Sequence, residues 1–325
     1  MKVAILGAGA YGLALAIMFN ENNCDIKMWT KFEEEKEKLT KTRVSDKHLP
    51  GIVLPKNIKF TCDMEEAVEG VELIVIAIPA AFVDATVQEL AKFVNRKQHF
   101  CMATKGIEQD TCRFPIAVLK KHIKTRKVAV ISGPSFAIDI ANKVPIGLSL
   151  ATINKATERV MYRGLQNNFL KLRTTNDIFG VSMCGAIKNV IAIASGMLDG
   201  MNMPESTQAM FITESLNDIK NLIRALGGND RTVLSFAGFG DLMMTCTSTK
   251  SRNFKFGQLI GSGASKKEID KYANEITVEG LYTLKSIYKL LNKKKVKMPI
   301  IDMIHNIILG SESPKTLLKF LNIKE

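Results

Sequence analysis

The sequence predicts an α/β protein with a parallel sheet domain at residues 1–176, followed by an all-α domain at residues 177–325. Three observations carry this expectation. A short apolar run at residues 2–6 (KVAIL) leads into Gly7, Gly9 and Gly12, spaced Gly-x-Gly-x-x-Gly, and then into an alanine-rich helical run. That order of strand, glycine turn and helix is the Rossmann-like arrangement: the glycines permit a tight turn, close approach of a pyrophosphate, and close helix packing. Further β-rich runs alternate with helical ones to about residue 176, as parallel strands with crossovers require. Beyond that point long helical stretches take over.

Along the first domain, residues 25–29 (DIKMW) read as the second strand. An acid near the end of this strand usually holds the ribose 2′-hydroxyl of NAD. Thr30, Lys31 and Phe32 stand there instead, which favours tolerance of a 2′-phosphate and hence NADP or both cofactors; Glu33, Glu34 and Glu35 lie just beyond. Residues 46–55 (DKHLPGIVLP) read as a loop, by their prolines and glycine. Residues 72–78 (ELIVIAI) form a buried strand ended by Pro79, and residues 82–93 have helical periodicity. Strands follow at 99–104, 128–132 and 146–151. Gly7, Lys105 and Gly133 each fall just past a strand, at the carboxyl edge where such sheets bind ligands. In the second domain Leu216, Ile219, Leu222, Ile223 and Leu226 mark an amphipathic helix closed by Gly227 and Gly228.

Composition narrows the class. With 325 residues, 46% apolar and 24% charged, the chain has the balance of a globular protein with a sizeable core. The apolar run near residues 73–83 is broken by Pro79 and is too short to span a bilayer, so no membrane insertion is expected. A net charge of +13 suits nucleic acid, anionic lipid and phosphorylated small molecules alike. The lysines are scattered apart from Lys293, Lys294, Lys295 and Lys297, without aromatic interleaving, so no nucleic-acid partner is expected. The six cysteines form no Cys-x-x-Cys pair and no metal spacing. Lys2 and the apolar run after it resemble a signal peptide, but three glycines interrupt the run. Reduced thiols in a cytoplasmic protein are the expectation.

Two stretches carry chemistry. Residues 184–196 (CGAIKNVIAIASG) hold one charge, Lys188, among apolar neighbours on every side. Desolvating an ammonium is costly, so a lysine in such a helix points to function. Residues 238–253 (GFGDLMMTCTSTKSRN) place Asp241 at a glycine-bracketed turn and end in Arg252 and Asn253, donors suited to a phosphate.

With these pieces assembled, the sequence resembles the NAD(P)-dependent glycerol-3-phosphate dehydrogenase family, bacterial type. The matching segments run in family order: GAGAYG from Gly7, HLPGIVLP from His48, ATKGIE from Ala103, SGPSFA from Ser132, CGAIKNVIAIASG from Cys184, GFGDLMMTC from Gly238, SRN from Ser251 and EG at Glu279. The resemblance implies that Lys188 is the proton acceptor and touches substrate, and that Lys105 lies where substrate and cofactor meet. It implies catalytic roles for Lys188, Lys105 and Asp241. Gly133, Ser135, Asn189, Thr245, Ser251, Arg252 and Asn253 would complete the substrate site. Ala10, Tyr11, Lys31, Phe32, Ala137, Val278 and Glu279 would contact NAD or NADP beside the three glycines, with Arg252 reaching the cofactor too. Departures exist: Ala10 and Tyr11 replace a usual serine and tryptophan, Lys31 and Phe32 a frequent His-Arg type pair, and Ser206 and Glu214 an asparagine and an arginine.

The implied reaction is reduction of dihydroxyacetone phosphate to sn-glycerol 3-phosphate, which supplies glycerophospholipid synthesis, by a cytoplasmic homodimer. Two alternatives stay open on the residues alone. One is a related two-domain dehydrogenase of the hydroxyacid or ketopantoate-reductase kind. The other is a non-catalytic NAD(P)H sensor, which would need the turn at Gly7 but not Lys188, Lys105 and Arg252 together.

Overall fold

A computed structural model describes residues 1–109 and 111–320. The last five residues of the expected helical domain, 321–325, lie outside the described residues. The chain divides into two compact units, Met1–Lys105 with Pro115–Ile178, and Gly106–Phe114 with Phe179–Glu325.

The first unit is an α/β layered structure. Its elements are β1 (Lys2–Leu6), α1 (Ala10–Asn20), β2 (Asp25–Trp29), α2 (Glu33–Thr42), β3 (Val44–Ser45), β4 (Leu49–Val53), β5 (Lys59–Thr61), α3 (Met64–Val68), β6 (Leu73–Ile76), α4 (Val83–Leu90), β7 (His99–Met102), α5 (Pro115–His122), β8 (Val128–Ser132), α6 (Ala137–Ala141), β9 (Ile146–Ala151), α7 (Lys155–Leu165) and β10 (Leu170–Thr175). Eight strands form one sheet in the order β10-β9-β8-β7-β6-β1-β2-β5. All neighbours are parallel except β8 and β9. The order reverses at β1, which pairs with β2 on one side and β6 on the other. Such a switch point is where a doubly wound sheet opens a ligand crevice at its carboxyl edge.

The central strands are apolar throughout because helices cover both faces of a parallel sheet. β6 (LIVI) and β8 (VAVIS) have no exposed residue. α1 begins at Ala10, three residues before the apolar run from which the helix was expected, with Gly9 at its N-cap. The glycine turn therefore feeds directly into the positive end of a helix.

Three features depart from the sequence expectation. Residues 46–55 are not all loop: β4 pairs antiparallel with β3 in a small ribbon. Pro50 and Gly51 sit within β4, where a two-stranded edge tolerates a residue lacking N–H. β9 runs antiparallel to β8 because the link between them holds only the five-residue α6. β5 and β10 were not anticipated. β5 has three residues, too few for a period, and β10 (LKLRTT) alternates polar and apolar as a sheet edge does.

The second unit is helical. It contains α8 (Ile178–Gly200), α9 (Glu205–Ala225), a 3-10 segment (Asp230–Leu234), a π-helical turn (Phe236–Gly240), α10 (Asp241–Cys246), α11 (Arg252–Gly261), α12 (Lys266–Glu275), α13 (Glu279–Lys294), α14 (Pro299–Ile308) and α15 (Leu317–Phe320). Residues 106–114 belong to this unit: Ile107 and Phe114 are buried, and the Phe114 ring meets Phe179 edge-on at 5.4 Å.

α8 is the axis of the helical unit. By length and composition it could cross a membrane, yet 83% of its most apolar window is buried inside the protein, as in a core helix. It packs against α11 at backbone contact. A Cβ on Gly257 would come within 1.9 Å of the Ile193 carbonyl oxygen, and one on Gly196 within 2.0 Å of the Phe254 carbonyl oxygen. Gly200 and Gly261 continue the same seam. Only residues without Cβ allow the two helices this close.

Candidate active site

At the carboxyl edge of the sheet, the glycine turn is fixed by hydrogen bonds and by space. The Gly7 N–H donates to the carbonyl of Trp29, the last residue of β2, at 2.9 Å. Gly7 has φ +112°, and a Cβ there would meet the Ala77 carbonyl oxygen at 2.7 Å. A Cβ on Gly12 would strike the Gly7 carbonyl oxygen at 2.0 Å. These two glycines are required by the fold. Gly9 is different, because no atom beyond its immediate chain neighbours lies within 4 Å of the position its Cβ would take. The turn thus keeps a bare backbone facing open space at a helix N-terminus, which fits the pyrophosphate of a dinucleotide.

Around this turn the structure gathers several residues expected at the cofactor. Ala10 and Tyr11 open α1. Ser135 is buried, and its hydroxyl donates to the Gly133 carbonyl at 3.2 Å. With that proton committed, the Tyr11 hydroxyl donates to Ser135 Oγ, also at 3.2 Å. Lys105 Nζ lies over the Tyr11 ring, 5.7 Å from its centroid. Gly133 serves packing, since a Cβ would fall 2.4 Å from the Gly147 carbonyl oxygen on β9. Ala137 opens α6 and packs against the core of this unit. Lys31 and Phe32 are exposed just past β2, with Phe32 at the N-cap of α2.

Glu35 was not singled out from its neighbours by the sequence. It lies in the first turn of α2, and its Oε2 accepts from the buried Thr30 hydroxyl at 2.5 Å. Its Oε1 lies 3.4 Å from His48 Nε2. Burial pushes the Glu35 carboxyl up, but hydrogen bonds from His48 and Thr30 outweigh it and hold the group below the usual carboxylate range. The available signal was an acid in the first helical turn after the second strand.

In the helical unit, Lys188 projects from the middle of α8 and is 6% exposed. Its Nζ donates to Asp241 Oδ1 at 2.5 Å and to Thr245 Oγ1 at 2.9 Å. Asp241 is fully buried at the first turn of α10, and Thr245 in turn donates to the Asp241 main-chain carbonyl at 2.5 Å. A charge this deep requires a counter-charge, and Asp241 supplies it.

The next residue on α8 begins a second network. Asn189 Oδ1 accepts from Asn253 Nδ2 at 3.0 Å, and Asn253 Oδ1 accepts from the Gly280 N–H at 2.9 Å. Asn189 Nδ2 donates to Glu279 Oε2 at 3.3 Å, and Arg252 reaches Glu279 Oε1 at 3.9 Å. α8, the N-terminus of α11 and the N-terminus of α13 are therefore tied together side chain by side chain. Gly280 is needed here, since a Cβ would meet the Asn189 carbonyl oxygen at 2.5 Å. Ser251 caps α11 by accepting from the Phe254 N–H, and Val278 is the buried N-cap of α13. Asn253 braces the helices through its amide oxygen and one of its two Nδ2 protons. Among the described residues, no group of three or more His, Cys, Asp or Glu is placed to hold a metal ion.

Known proteins similar to this chain share its family and its fold. Residues 2–158 match the family model described as NAD-dependent glycerol-3-phosphate dehydrogenase N-terminus, and residues 177–319 match the corresponding C-terminus. The chain is 32% identical to a glycerol-3-phosphate dehydrogenase [NAD(P)+] of Fusobacterium nucleatum, over 100% of this chain and 97% of that one. It is 33% identical to the enzyme of that name from Bacillus licheniformis, over 98% of this chain and 93% of that one. The crystal structure of glycerol-3-phosphate dehydrogenase from Coxiella burnetii superimposes with a TM-score of 0.92 at 30% identity, covering 99% of both chains.

Proposed function

This chain belongs to the NAD-dependent glycerol-3-phosphate dehydrogenase family, and from that premise we infer how its own residues carry the reaction. It is an NAD(P)-dependent oxidoreductase acting on a CH–OH group, and it interconverts dihydroxyacetone phosphate and sn-glycerol 3-phosphate. The nicotinamide supplies or takes the hydride.

The buried Lys188 ammonium carries this reading. It stabilises negative charge growing on the substrate oxygen and delivers a proton to it; in the oxidative direction it takes the hydroxyl proton. Asp241 balances the ammonium while the site is empty of substrate, and with Thr245 it fixes where the Nζ points. Arg252 and the N-terminus of α11 bind the phosphate, a dianion suited to a guanidinium fork and to unpaired helix N–H groups. Asn189 and Asn253 hold α8 and α11 in register so that phosphate binding fixes the carbonyl relative to Lys188. Lys105, held over Tyr11 at the sheet's carboxyl edge, is read as a cofactor contact, with the substrate half of its role resting on family resemblance. Free thiols at all six cysteines support a cytoplasmic setting. Supply of glycerophospholipid synthesis and assembly as a homodimer complete the reading by resemblance.

The test is an absorbance assay of nicotinamide oxidation with dihydroxyacetone phosphate, run beside non-phosphorylated 2-keto acids. Turnover confined to the phosphorylated ketone is the expected result. Turnover of a keto acid alone would place the chain with the hydroxyacid dehydrogenases, and no turnover of either, with NADH still bound, would make it a sensor.

A further inference from the structure

We propose that Glu35 selects against a 2′-phosphate and makes NAD(H), not NADP(H), the working cofactor of this chain. The proposal rests on the reading that a dinucleotide binds at the Gly7 turn. It reverses the preference suggested by the bare order Thr30, Lys31, Phe32.

The argument begins at the end of β2. The Trp29 carbonyl accepts from the Gly7 N–H at 2.9 Å, so the strand end and the first glycine of the turn lie side by side. Thr30 is the next residue and is buried. Its hydroxyl donates to Glu35 Oε2 at 2.5 Å and accepts from the Phe32 N–H at 3.4 Å. The Glu35 side chain is thereby folded back over the strand end, where an acid on the strand itself would stand. In this topology that is where the ribose of the adenosine half lies. A carboxylate there can accept from the ribose hydroxyls, and it meets a 2′-phosphate with like charge. At 23% exposure the side chain is partly removed from water, which lessens screening of that repulsion.

The neighbouring charges do not reverse this balance. Glu33 pairs with Lys36, which leaves Glu34 and Glu35 against two exposed lysines, Lys31 and Lys47, the second close enough to act on the Glu35 carboxylate. Lys31 lies on a solvated surface, where an ammonium is a flexible, screened point charge. His48, from the turn between β3 and β4, faces Glu35 Oε1 and helps hold the carboxylate in place.

The test is calorimetric titration of ADP-ribose and 2′-phospho-ADP-ribose into the full-length protein, Glu35→Gln and Lys31→Ala, so no turnover is required. Glu35→Gln keeps an amide able to hold Thr30 and removes only the charge. The wild-type protein should bind ADP-ribose on the order of tenfold more tightly than its 2′-phosphorylated form. Glu35→Gln should bring the two affinities to within about twofold, mainly through gain on the phosphorylated ligand. Lys31→Ala, which removes a cation, should weaken the phosphorylated ligand at least as much as ADP-ribose and so should not narrow the wild-type ratio. The proposal is overturned if the wild-type protein prefers the phosphorylated ligand, or if folded Glu35→Gln keeps the wild-type ratio. It is equally overturned if Lys31→Ala narrows the ratio as Glu35→Gln should. If the wild-type protein binds neither ligand, the dinucleotide reading of the Gly7 turn fails, and the selector fails with it. Thermal melts of each variant establish that the fold is intact.

Discussion

Thr245 stands between Lys188 and the backbone of Asp241: its oxygen accepts from Lys188 Nζ at 2.9 Å while its proton goes to the Asp241 carbonyl at 2.5 Å. One hydroxyl thus links the ammonium on α8 to the first turn of α10. Lys188→Ala should fold, bind NADH, and lose about a hundred- to ten-thousand-fold in kcat with dihydroxyacetone phosphate. Wild-type turnover would remove Lys188 from the proton-transfer role. Thr245→Val should cost about 1.5–3 kcal/mol in urea unfolding, because an acceptor is withdrawn from a buried charge.

The Lys188–Asp241 pair should behave as a buried ion pair in stability measurements. Asp241→Asn alone leaves an ammonium without its counter-charge and should destabilise the fold by about 3–5 kcal/mol. Lys188→Met combined with Asp241→Leu removes both charges and should regain much of that loss. Equilibrium urea denaturation of the two variants beside wild type tests this. Additive losses in the double variant would mean that the two charges are not coupled.

The seam between α8 and α11 should be intolerant of a single methyl group. Gly257→Ala would place its Cβ 1.9 Å from the Ile193 carbonyl oxygen, a contact relieved only by moving one helix. Overpacking of this kind costs about 1–3 kcal/mol. Because α8 carries Lys188, thermal stability and kcat should fall together. An unchanged melting temperature would show that the helices can separate cheaply.

At the sheet edge, Tyr11 has two separable functions. Tyr11→Phe keeps a ring beneath Lys105 and loses the bond to Ser135, whereas Tyr11→Ala loses both. NADH affinity, read by fluorescence quenching, should fall by a few fold in the first. It should fall further in the second, by about 0.5–1 kcal/mol for the cation–π contact. Equal losses in both variants would leave the ring without a role.

Asp218 on α9 provides a pH signature independent of catalysis. Burial, with Glu214 adding to it, pushes its carboxyl up to about 6, and its Oδ2 has no hydrogen-bond partner. The native state therefore holds a proton that the unfolded chain has released between the ordinary value of 3.8 and about 6. Stability from this group is full below that window and falls as pH rises through it. Asp218→Asn should stabilise the protein at pH 7.5 by on the order of 1–3 kcal/mol, with no gain near pH 4. Melting curves at the two pH values decide it, and a gain that persists at the lower pH would assign the effect to packing.

Much of this was legible in the sequence because it depends on local pattern. β1, β2, β8 and β9 were readable to the residue from their apolar runs. Lys188 was legible as one charge in a greasy helix. The partner of Lys188 was not legible by periodicity, since Asp241 lies fifty-three residues away and only the fold brings it to 2.5 Å. Asn253 and Ser251 read as ligand donors because their chemistry allows it; that Asn253 also braces two helices and Ser251 also caps α11 was not legible, because only the fold brings those partners within reach. Glu35 was one of three adjacent acids, and the bend that turns it toward Thr30 is set by where α2 begins.

Residues 106–114 lie with the helical unit although the chain on both sides belongs to the sheet. The backbone consequently changes allegiance three times, after Lys105, after Phe114 and after Ile178. A gene cut between residues 158 and 177, where the two family models meet, would give a front piece carrying the bare apolar side chains of Ile107 and Phe114, and a rear piece lacking them. Neither fragment would be a finished product on its own. A chimera that swaps one half against that of another dehydrogenase would have to carry this short insert along with the rear half.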